Sequence, residues 1–375
     1  MTRSRTLATV LASVFALTIA AGSADAGRAA GLQFHTQAMS WVSSQHGWLL
    51  GSAACGTASC TISLRTSDGG QTWKTLGTLA APLTNEDPAG VTDVRFADDL
   101  HGWAFDPALW STTDGGLTWQ AQASPGAGPV IALAADAQVA YAVASGCDVS
   151  QALSDCRHGD TLWRTTPGSA FWTQVSVKLP VSNLAVLALL GSVAYVAIPT
   201  FDSRTADTLD ATADGLRWSS RPDPCSKVDG EYLSAIAPVS GTKVALLCQS
   251  DIGFGKAGKR VVRSDDSAMT TSDAGTLPLY GIISQLAASP NGTLLMSSFS
   301  IGSWIYRNAG GQAWTTSEDL GDGGIGWNDI AFTTDQTAFV VHGPAACCGG
   351  HGPGELWKST DAGLTWRQAQ VTPQP

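Results

Sequence analysis

The stretch Trp110-Ser111-Thr112-Thr113-Asp114-Gly115-Gly116-Leu117-Thr118-Trp119 decides the fold of this chain. It combines a strand that ends in Ser and Thr, a turn at Asp-Gly-Gly, and a second strand that opens with Thr-Trp. An aspartate side chain in such a turn accepts hydrogen bonds from nearby backbone N–H groups, and glycine supplies the positive φ that closes the turn. The pattern predicts a β-hairpin whose closing indole covers the turn.

The chain repeats this hairpin at a nearly regular interval. Near-copies stand at residues 64–73 and 357–366, the second with Ala362 in place of a glycine, and worn copies stand at 163–172, 212–218 and 306–314. The closing tryptophans fall at positions 73, 119, 172, 218, 314 and 366, so one gap spans two periods. That gap predicts a further copy at residues 262–267, with Met269 close to the expected tryptophan position. The sequence therefore predicts seven units.

Residues 1–26 have the pattern of a secretory signal peptide. Arg3 and Arg5 form a short basic segment, residues 7–21 are apolar, and Ala24-Asp25-Ala26 offers a small-x-small cleavage site. The apolar run is short for a membrane span, and an uncleaved anchor is the alternative. Cleavage after Ala26 leaves residues 27–375, or about 50 residues for each of seven units, which suits four short strands and their turns.

The composition agrees with an exported all-β domain. Charged residues make up 14% of the chain, and the formal net charge is −10. An acidic chain lacks the basic face that a phosphate backbone requires, so we expect no nucleic-acid partner. No later apolar run has membrane-spanning length, so we expect a secreted, extracytoplasmic protein with no membrane span after signal cleavage.

The eight cysteines are expected to form disulfides in an exported protein. Sequence order pairs Cys55 with Cys60, Cys147 with Cys156, and Cys225 with Cys248. The adjacent Cys347 and Cys348 could form a strained vicinal disulfide, or each could pair elsewhere. Sequence alone leaves the connectivity open.

A second pattern precedes each Asp-containing hairpin. Residues 41–48 align with residues 96–103, and both combine a strand that ends in an aromatic residue, a turn, and His-Gly-Trp. Later units keep this layout, so each unit contains four antiparallel strands, A to D, and the Asp turn joins C to D. No helical periodicity of useful length follows the signal segment. Seven such sheets predict an all-β fold, a single closed seven-bladed β-propeller, with a linear solenoid as the alternative. The blades are expected at residues 33–80, 90–124, 129–178, 182–222, 230–275, 280–318 and 325–372.

The pattern Ser/Thr-x-Asp-Gly-Gly-x-Thr-Trp resembles the Asp box of the BNR-repeat β-propellers. That superfamily includes sialidases, xyloglucan-degrading glycoside hydrolases, sortilin-type receptors and photosystem II assembly-factor propellers. The His-Gly-Trp segments at His46 and His101 look most like the assembly-factor branch, which also occurs in exported bacterial proteins. The resemblance covers nearly the whole mature chain and implies a sialidase-like propeller fold. It says less about function, because this fold hosts many activities.

Strand order separates the two faces of such a propeller. In an up-and-down blade, the A–B and C–D turns share one face, and the B–C and D–A connections share the other. Asp68, Asp114 and Asp361 therefore lie on one face, here called the turn face, and are expected to be structural. The opposite face, here called the loop face, carries the long B–C connections and all the expected cysteine pairs. Binding residues concentrate on loops held by a rigid scaffold, although exported proteins also cross-link loops that bind nothing.

Strand A of each blade is expected to line the central channel and to start on the loop face. Asp93 and Asp329 occupy matching positions, each three residues before the aromatic residue of strand A, and Glu231 and Tyr232 open strand A of the fifth blade. These four are the candidates for a carboxylate pair, or a Tyr/Glu nucleophile pair, of the glycosidase kind. The alternative is that they are solvated polar residues or cap strand ends. The ligand-binding candidates are Trp327, Asn328, Asp329 and Asp93, and packing is the alternative role of Trp327.

The enzymatic branches of the superfamily fit this chain poorly. Sialidases grip the substrate carboxylate with three arginines, the first in an Arg-Ile/Leu-Pro segment, and the chain contains no such tripeptide. Arg65, Arg164, Arg263 and Arg307 directly precede C–D turns, which places them on the turn face. The xyloglucan-degrading enzymes use two large propellers, whereas this chain has the length for one.

One loop gathers possible metal ligands. His342 and His351 flank Cys347 and Cys348, and these are ligand types that zinc and copper accept. The spacing matches no familiar zinc signature, and export favours oxidised cysteines. A disulfide is therefore preferred, with His342 and His351 as weak candidates for a metal, and we expect no metal and no other cofactor.

The sequence thus predicts an exported, non-enzymatic propeller that acts as a monomeric scaffold for binding or assembly. Its partner, a protein or a glycan, would engage the disulfide-pinned loop face. The alternative is an exo-acting glycoside hydrolase, sialidase-like or xyloglucanase-like, whose carboxylate pair at the channel mouth comes from Asp93, Glu231 and Asp329.

Overall fold

The regular structure of the described chain consists of β-strands and one short 3-10 helix. The computed structural model describes residues 33–148, 156, 158–182, 184–201, 204–253, 256–278, 280–311, 313–323, 325–343 and 354–374. The predicted signal peptide falls outside the described residues, as do Cys347, Cys348 and His351. Among the described residues, no helix has the length and apolarity needed to cross a membrane.

The first four blades each contain four antiparallel strands in sequence order. Blade 1 comprises β1 (Phe34–Trp41), β2 (Gly47–Cys55), β3 (Ala58–Thr66) and β4 (Trp73–Leu79). Blade 2 comprises β5 (Asp93–Phe96), β6 (Gly102–Phe105), β7 (Leu109–Thr112) and β8 (Gln120–Gln122). Blade 3 comprises β9 (Val130–Ala135), β10 (Ala140–Ala144), β11 (Thr161–Thr165) and β12 (Thr173–Gln174). Blade 4 comprises β13 (Val186–Leu190), β14 (Val193–Ile198), β15 (Thr208–Thr212) and β16 (Trp218–Ser220).

The last three blades repeat this order, after the 3-10 helix at Lys227–Asp229. Blade 5 comprises β17 (Tyr232–Pro238), β18 (Val244–Gly253), β19 (Lys256–Ser264) and β20 (Ser272–Thr276). Blade 6 comprises β21 (Ile283–Ala288), β22 (Thr293–Phe299), β23 (Ser303–Ala309) and β24 (Thr315–Leu320). Blade 7 comprises β25 (Trp327–Phe332), β26 (Ala338–His342), β27 (Glu355–Ser359) and β28 (Arg367–Gln368). The predicted all-β propeller with seven four-stranded blades is confirmed.

Apolar side chains hold neighbouring blades together. Each pair of successive blades shares a hydrophobic cluster, and one cluster joins blade 7 to blade 1 through Phe339 and Trp73, so the ring is closed. The second strand of each blade is covered on both sides, and every residue of β10 (Ala140–Ala144) and β26 (Ala338–His342) is buried. Because both faces of such a strand are buried, its sequence is a continuous hydrophobic run, which explains the apolar composition of these segments.

The Asp turns are closed by their own side chains. In blade 1, Asp68 Oδ1 accepts hydrogen bonds from the amides of Gln71 at 3.0 Å and Thr72 at 2.9 Å, and Asp68 Oδ2 accepts one from the Thr72 hydroxyl at 2.6 Å. Asp114 and Asp361 repeat the bonds from the threonine four residues on. Every oxygen of these carboxylates is thus engaged inside its turn, as the structural interpretation requires.

The Asp turn of blade 5, the copy predicted at residues 262–267, shows where the repeat has diverged. Asp266 accepts hydrogen bonds from the Thr270 amide at 2.8 Å and the Thr270 hydroxyl at 2.7 Å, so it adopts the same turn. Counting from Asp266, the position of the closing tryptophan belongs to Thr271, and Met269 matches Leu117 of blade 2. Met269 is 51% exposed and does not cover the turn. Met269 is therefore not the structural equivalent of the closing tryptophan, although it lies close to that position in the sequence.

The two kinds of short turn meet on one face, as strand order predicts. The first turn glycine of each intact Asp turn donates its amide to an A–B turn of the same blade: Gly69 to Gln45 at 3.0 Å and Gly115 to Leu100 at 2.8 Å. In blade 7, Ala362 donates in the same way to Gln336 at 2.8 Å. These bonds consolidate the turn face and leave the long connections on the opposite face.

The C-terminal segment adds an unpredicted fifth strand to blade 1. β29 (Pro373–Gln374) pairs in parallel with the outer strand β4. Ala369 and Val371, just before it, pack against the cluster shared by blades 7 and 1. The end of the chain thus covers the exposed edge of the first blade, which protects that edge from pairing elsewhere.

Candidate functional site

The central channel is lined by strand A of all seven blades. Its wall is mostly aliphatic, with Met39, Leu133, Leu187, Ile236 and Leu286 from five different blades around a cavity of about 360 Å³. The charged residues in this wall are Arg95 and Asp329, and Asp93 lines the adjoining part of the channel. Both aspartates therefore lie along the channel.

Asp93 and Asp329 come together on one guanidinium group. Arg95 Nη1 lies 2.6 Å from Asp93 Oδ1 and 3.3 Å from Asp329 Oδ2. The same nitrogen donates to the Met39 carbonyl at 3.1 Å. The two contacting carboxylate oxygens therefore lie no more than about 6 Å apart, which is compatible with the separation of about 5–5.5 Å in retaining glycosidases. Sequence reasoning missed Arg95, although its position two residues after Asp93 places both side chains on one strand face.

The channel environment acts strongly on Asp329. Burial raises the pKa of Asp329 to about 6, Arg95 opposes this rise, and the negative charge of Asp93 adds to it. Burial likewise raises the pKa of Asp106 to about 6, although the Thr92 hydroxyl donates a hydrogen bond to its carboxylate at 2.8 Å. A carboxyl group with a raised pKa next to a second carboxylate is an arrangement that general-acid chemistry uses.

Glu231 and Tyr232 belong to a different cluster. Glu231 receives two hydrogen bonds from Arg260, Nη2 to Oε2 at 2.6 Å and Nε to Oε1 at 3.1 Å, and a third from the Ser226 amide at 2.8 Å. Tyr232 accepts a hydrogen bond from Gln249 Nε2 at 3.1 Å. The bidentate ion pair between Glu231 and Arg260 fixes the connection into blade 5. The structure thus places Glu231 with Arg260 and apart from the Asp93–Arg95–Asp329 cluster.

Trp327 and His342 lie in the interior of blade 7. Trp327 is only 2% exposed, and its ring centroid lies 4.8 Å from that of His342. His342 is held between carboxylates, with Nε2 2.6 Å from Asp322 Oδ2 and Nδ1 3.5 Å from Glu355 Oε2. Packing is the role that this position gives to Trp327. Asn328, next to it, offers its carbonyl to the side chain of Gln285.

A group of possible metal ligands that the sequence analysis missed lies between blades 4 and 5. Asp207, Asp223 and Cys225 each offer one ligand atom within 4.8 Å of the others. However, Cys225 is bonded to Cys248, and Asp207 is ion-paired with Lys227 Nζ at 2.6 Å. The thiolate that a metal needs is therefore consumed in the disulfide, and we assign no metal to this group.

The described disulfides all lie on the loop face. Cys55–Cys60 closes the B–C connection of blade 1, and Cys147–Cys156 closes that of blade 3. Cys225–Cys248 ties the connection between blades 4 and 5 to strand β18. These are the pairs that sequence order indicates. Cys147–Cys156 and Cys225–Cys248 restrain longer connections. Cys55–Cys60 instead crosses a hairpin in which only two residues separate β2 from β3, so the long B–C connection expected in blade 1 is wrong.

A large cavity also lies at the loop face, over blade 1. It measures about 930 Å³ and is bounded by the start of β1, by the B–C connection that Cys60 anchors, and by residues 79–83 at the end of β4. Gly354, from blade 7, completes the wall, and its carbonyl accepts a hydrogen bond from the Thr36 amide at 2.9 Å. Pockets of this size are typical of ligand sites.

Comparison with known proteins supplies the fold and little more. No protein-family model matches the chain, and no curated protein matches it. Among solved structures, it is similar to YCF48 bound to D1 peptide, at 17% identity and a TM-score of 0.54, over 84% of this chain and 92% of that one.

Two further structures are more distant. YjhT aligns at 12% identity and a TM-score of 0.49, over 90% of this chain and 98% of that one. The GH74 xyloglucanase from Xanthomonas campestris aligns at 12% identity and a TM-score of 0.31, over 90% of this chain and 73% of that one. Their TM-scores are too low to bear on this chain. The likeness to YCF48 agrees with the seven-bladed propeller that the repeats predict.

Proposed function

We propose that this chain is a non-enzymatic binding scaffold that takes up a protein or glycan partner on its loop face. The observation that carries this proposal is the coincidence, on one face, of the Cys55–Cys60, Cys147–Cys156 and Cys225–Cys248 disulfides with the cavity of about 930 Å³. Loops that are held by a rigid propeller and by cross-links meet a partner with little loss of conformational entropy.

The turn face supports the same choice by its chemistry. Its aspartates use their carboxylates to close their own turns, and hydrogen bonds from Thr365 lower the pKa of Asp361 to about 2 although burial opposes them. The pKa of Asp68 is about 2 for the same reasons. Carboxylates that are saturated by internal donors have little capacity left for a ligand.

The likeness to YCF48 supports a protein as the partner. That propeller was solved with a D1 peptide bound. At 17% identity the likeness extends to the fold alone, so the identity of the peptide does not transfer. A propeller of this shape can nevertheless hold a peptide, which favours the protein alternative over the glycan.

Peptide and glycan arrays probed with the purified protein test the proposal. We expect binding that weakens when Cys55 and Cys60 are both changed to Ala, because the cross-link beside the cavity, at the end of the β2–β3 hairpin, is then lost. The matched control is Leu117→Ser, an exposed side chain on the turn face. Binding that Leu117→Ser abolishes and the double Ala variant leaves unchanged would place the partner on the wrong face and overturn the proposal.

A glycoside hydrolase is the second candidate, favoured by the paired Asp93 and Asp329 and by the raised pKa of Asp329. In such a hydrolase, Asp329 would be the general acid and Asp93 the nucleophile or base. Arg95 is ion-paired with both carboxylates and hydrogen-bonded to the backbone of blade 1, which also suits a structural role. Turnover of a panel of chromogenic glycosides that Asp93→Asn or Asp329→Asn abolishes would replace the scaffold proposal.

We also propose that the chain is exported, works as a monomer, and binds neither nucleic acid nor metal. The disulfides support an extracytoplasmic location, where oxidising conditions keep them intact. A mature protein that begins at Gly27 is the expected result of N-terminal sequencing. An intact N-terminus at Met1 would contradict export by signal cleavage.

A further inference from the structure

The cavity over blade 1 exists because neighbouring blades differ in strand length. β2 and β3 contain nine residues each, whereas β6 and β7 of blade 2 contain four each. Blade 1 therefore extends past blade 2 on the loop face. His35, Ser52 and Thr61 pair in register across three strands at this level.

The part of the sheet that lines the cavity presents polar groups with unused hydrogen-bonding capacity. Within the described part of the chain, no side-chain hydrogen bond is made by five residues of the cavity lining: Gln33, His35, Gln37, Ser52 and Ser59. Thr36, also in the lining, is 2% exposed, and its Oγ1 is buried without a hydrogen-bond partner. A buried hydroxyl without a partner costs free energy, about 1–3 kcal/mol. The Thr36 side chain lies on the sheet face opposite to His35 and Ser52, so this unpaired hydroxyl belongs to the packing of blade 1 against blade 7.

The opposite wall of the cavity is apolar. It consists of residues 79–83, the sequence Leu-Ala-Ala-Pro-Leu, which leaves blade 1 for blade 2. The carbonyl of Ala81 accepts a hydrogen bond from the Thr61 hydroxyl at 2.6 Å, so this wall is fixed to the sheet. A ligand in the cavity would contact neutral polar groups on one side and aliphatic groups on the other.

The chemistry of the lining excludes several ligand classes. Among the described residues of the lining there is no Lys, Arg, Asp or Glu, so these residues offer no counter-charge to a phosphate, a carboxylate or a strongly basic group. The described lining residues also include no Trp, Tyr or Phe, on which the apolar face of a sugar ring or a nucleobase stacks. Side-chain amides and hydroxyls facing a strip of aliphatic side chains suit the alternating groups of an extended peptide.

We infer that this cavity binds an uncharged peptide segment in an extended conformation. The amides of Gln33 and Gln37 and the hydroxyls of Ser52 and Ser59 pair with its backbone, and its aliphatic side chains contact residues 79–83. This assignment rests on the proposed binding function, because it names the ligand class and the place on the loop face. A surface with no net charge selects its partner by shape and hydrogen bonding, with a weak dependence on salt.

The test uses the full protein and a library of acetylated, amidated octapeptides built from Ala, Val, Leu, Ser, Thr, Asn and Gln. Affinities are measured for the wild type, for Ser52→Leu, which fills the cavity, and for Gln37→Ala, which removes one amide. Ser67→Leu, on an exposed Asp turn of the same blade, is the matched control. A neutral β-glucan oligosaccharide provides the glycan arm.

We expect neutral peptides to bind the wild type and the Ser67→Leu control equally, and both cavity variants to weaken binding at least tenfold. Peptide binding that neither cavity variant changes would overturn the inference and leave the proposed function standing. Binding of the oligosaccharide alone would overturn the assignment to a peptide. Absence of binding in both this assay and the peptide and glycan arrays would remove the proposed function as well.

Discussion

Asp329 of blade 7 lies 3.3 Å from the Nη1 atom of Arg95 in blade 2, so an ion pair spans the inner strand of blade 1. Met39, on that inner strand, donates its amide to Asp329 at 3.4 Å and accepts a hydrogen bond from Arg95 at 3.1 Å. Three successive inner strands are thereby joined where the first and last blades meet. The cluster closes the ring from the channel side, as β29 does from the outer edge.

The titration of Asp329 should make stability depend on pH. Because its pKa in the folded protein is about 6, above its unfolded value, its contribution to stability is full below pH 4 and is lost as pH rises from about 4 to about 6. Asp329→Asn should remove this pH dependence, a difference on the order of 2 kcal/mol between pH 4 and pH 7. Urea denaturation of both proteins across that range measures it.

The exposed Asp319→Asn provides the control for that experiment. The control should follow the wild type at every pH, and Asp106, whose pKa is also raised, contributes equally to all three proteins. If the free energy of unfolding of the wild type changed with pH in the same way as that of Asp329→Asn, the raised pKa of Asp329 would be contradicted.

The Asp turns should respond to acid in the opposite sense. Burial opposes ionisation of Asp361, but hydrogen bonds from Thr365 and Ser359 lower its pKa to about 2. Its contribution is therefore present above pH 4 and is lost as pH falls through 2. Asp361→Ala should lower the free energy of unfolding by about 1–2 kcal/mol at pH 6 through the lost hydrogen bonds. The exposed Asp265→Ala is the control, and equal losses in both would refute a special role of the turn carboxylate.

Ala362 holds a backbone conformation that favours glycine. Its φ is 60°, in the left-handed region, where the corresponding residues of blades 1 and 2 are Gly69 and Gly115. Relief of about 1–2 kcal/mol of strain outweighs the entropy that glycine adds to the unfolded chain, about 0.4–1 kcal/mol. Ala362→Gly should therefore raise the free energy of unfolding by about 0.5–1 kcal/mol, measured by denaturation, and a lower value would contradict the strain assignment.

The Cys225–Cys248 disulfide closes a segment with a sequence separation of 23 residues, against 5 for Cys55–Cys60. A longer closed loop restricts the unfolded chain more, so Cys225→Ser with Cys248→Ser should cost about 3 kcal/mol, and the Cys55, Cys60 double variant less. Calorimetry with and without reductant measures both. An equal cost for the two pairs would show that loop closure does not set the stabilisation.

The architecture was predictable because it depends on local, repeated signals. The hairpin at Asp114 needs only its own residues, and the spacing of its copies gives the number of blades. Strand order then fixes which turns share a face, and the hydrogen bonds from Gly69 to Gln45 and from Gly115 to Leu100 agree. Even the diverged copy at Asp266 keeps its turn, although Thr271 has replaced the tryptophan.

The candidate site was less predictable because it depends on contacts between distant blades. Arg95 and Asp329 are 234 residues apart, and no periodic signal links an arginine of blade 2 to an acid of blade 7. Glu231 looked equivalent to the channel acids in sequence, but its pairing with Arg260 depends on the path of the preceding connection. The cavity over blade 1 arises from a difference in length between β2 and β6, which a pattern of turns does not encode.

Hydrogen exchange of the protein with and without a peptide from the array tests the central claim most directly. The account predicts slower exchange of the loop-face amides at residues 52–61 and 79–83, with unchanged exchange at the Asp turns, residues 67–72 and 114–118. Slower exchange confined to those turns, with the loop face unchanged, would contradict a binding scaffold that works through its loop face.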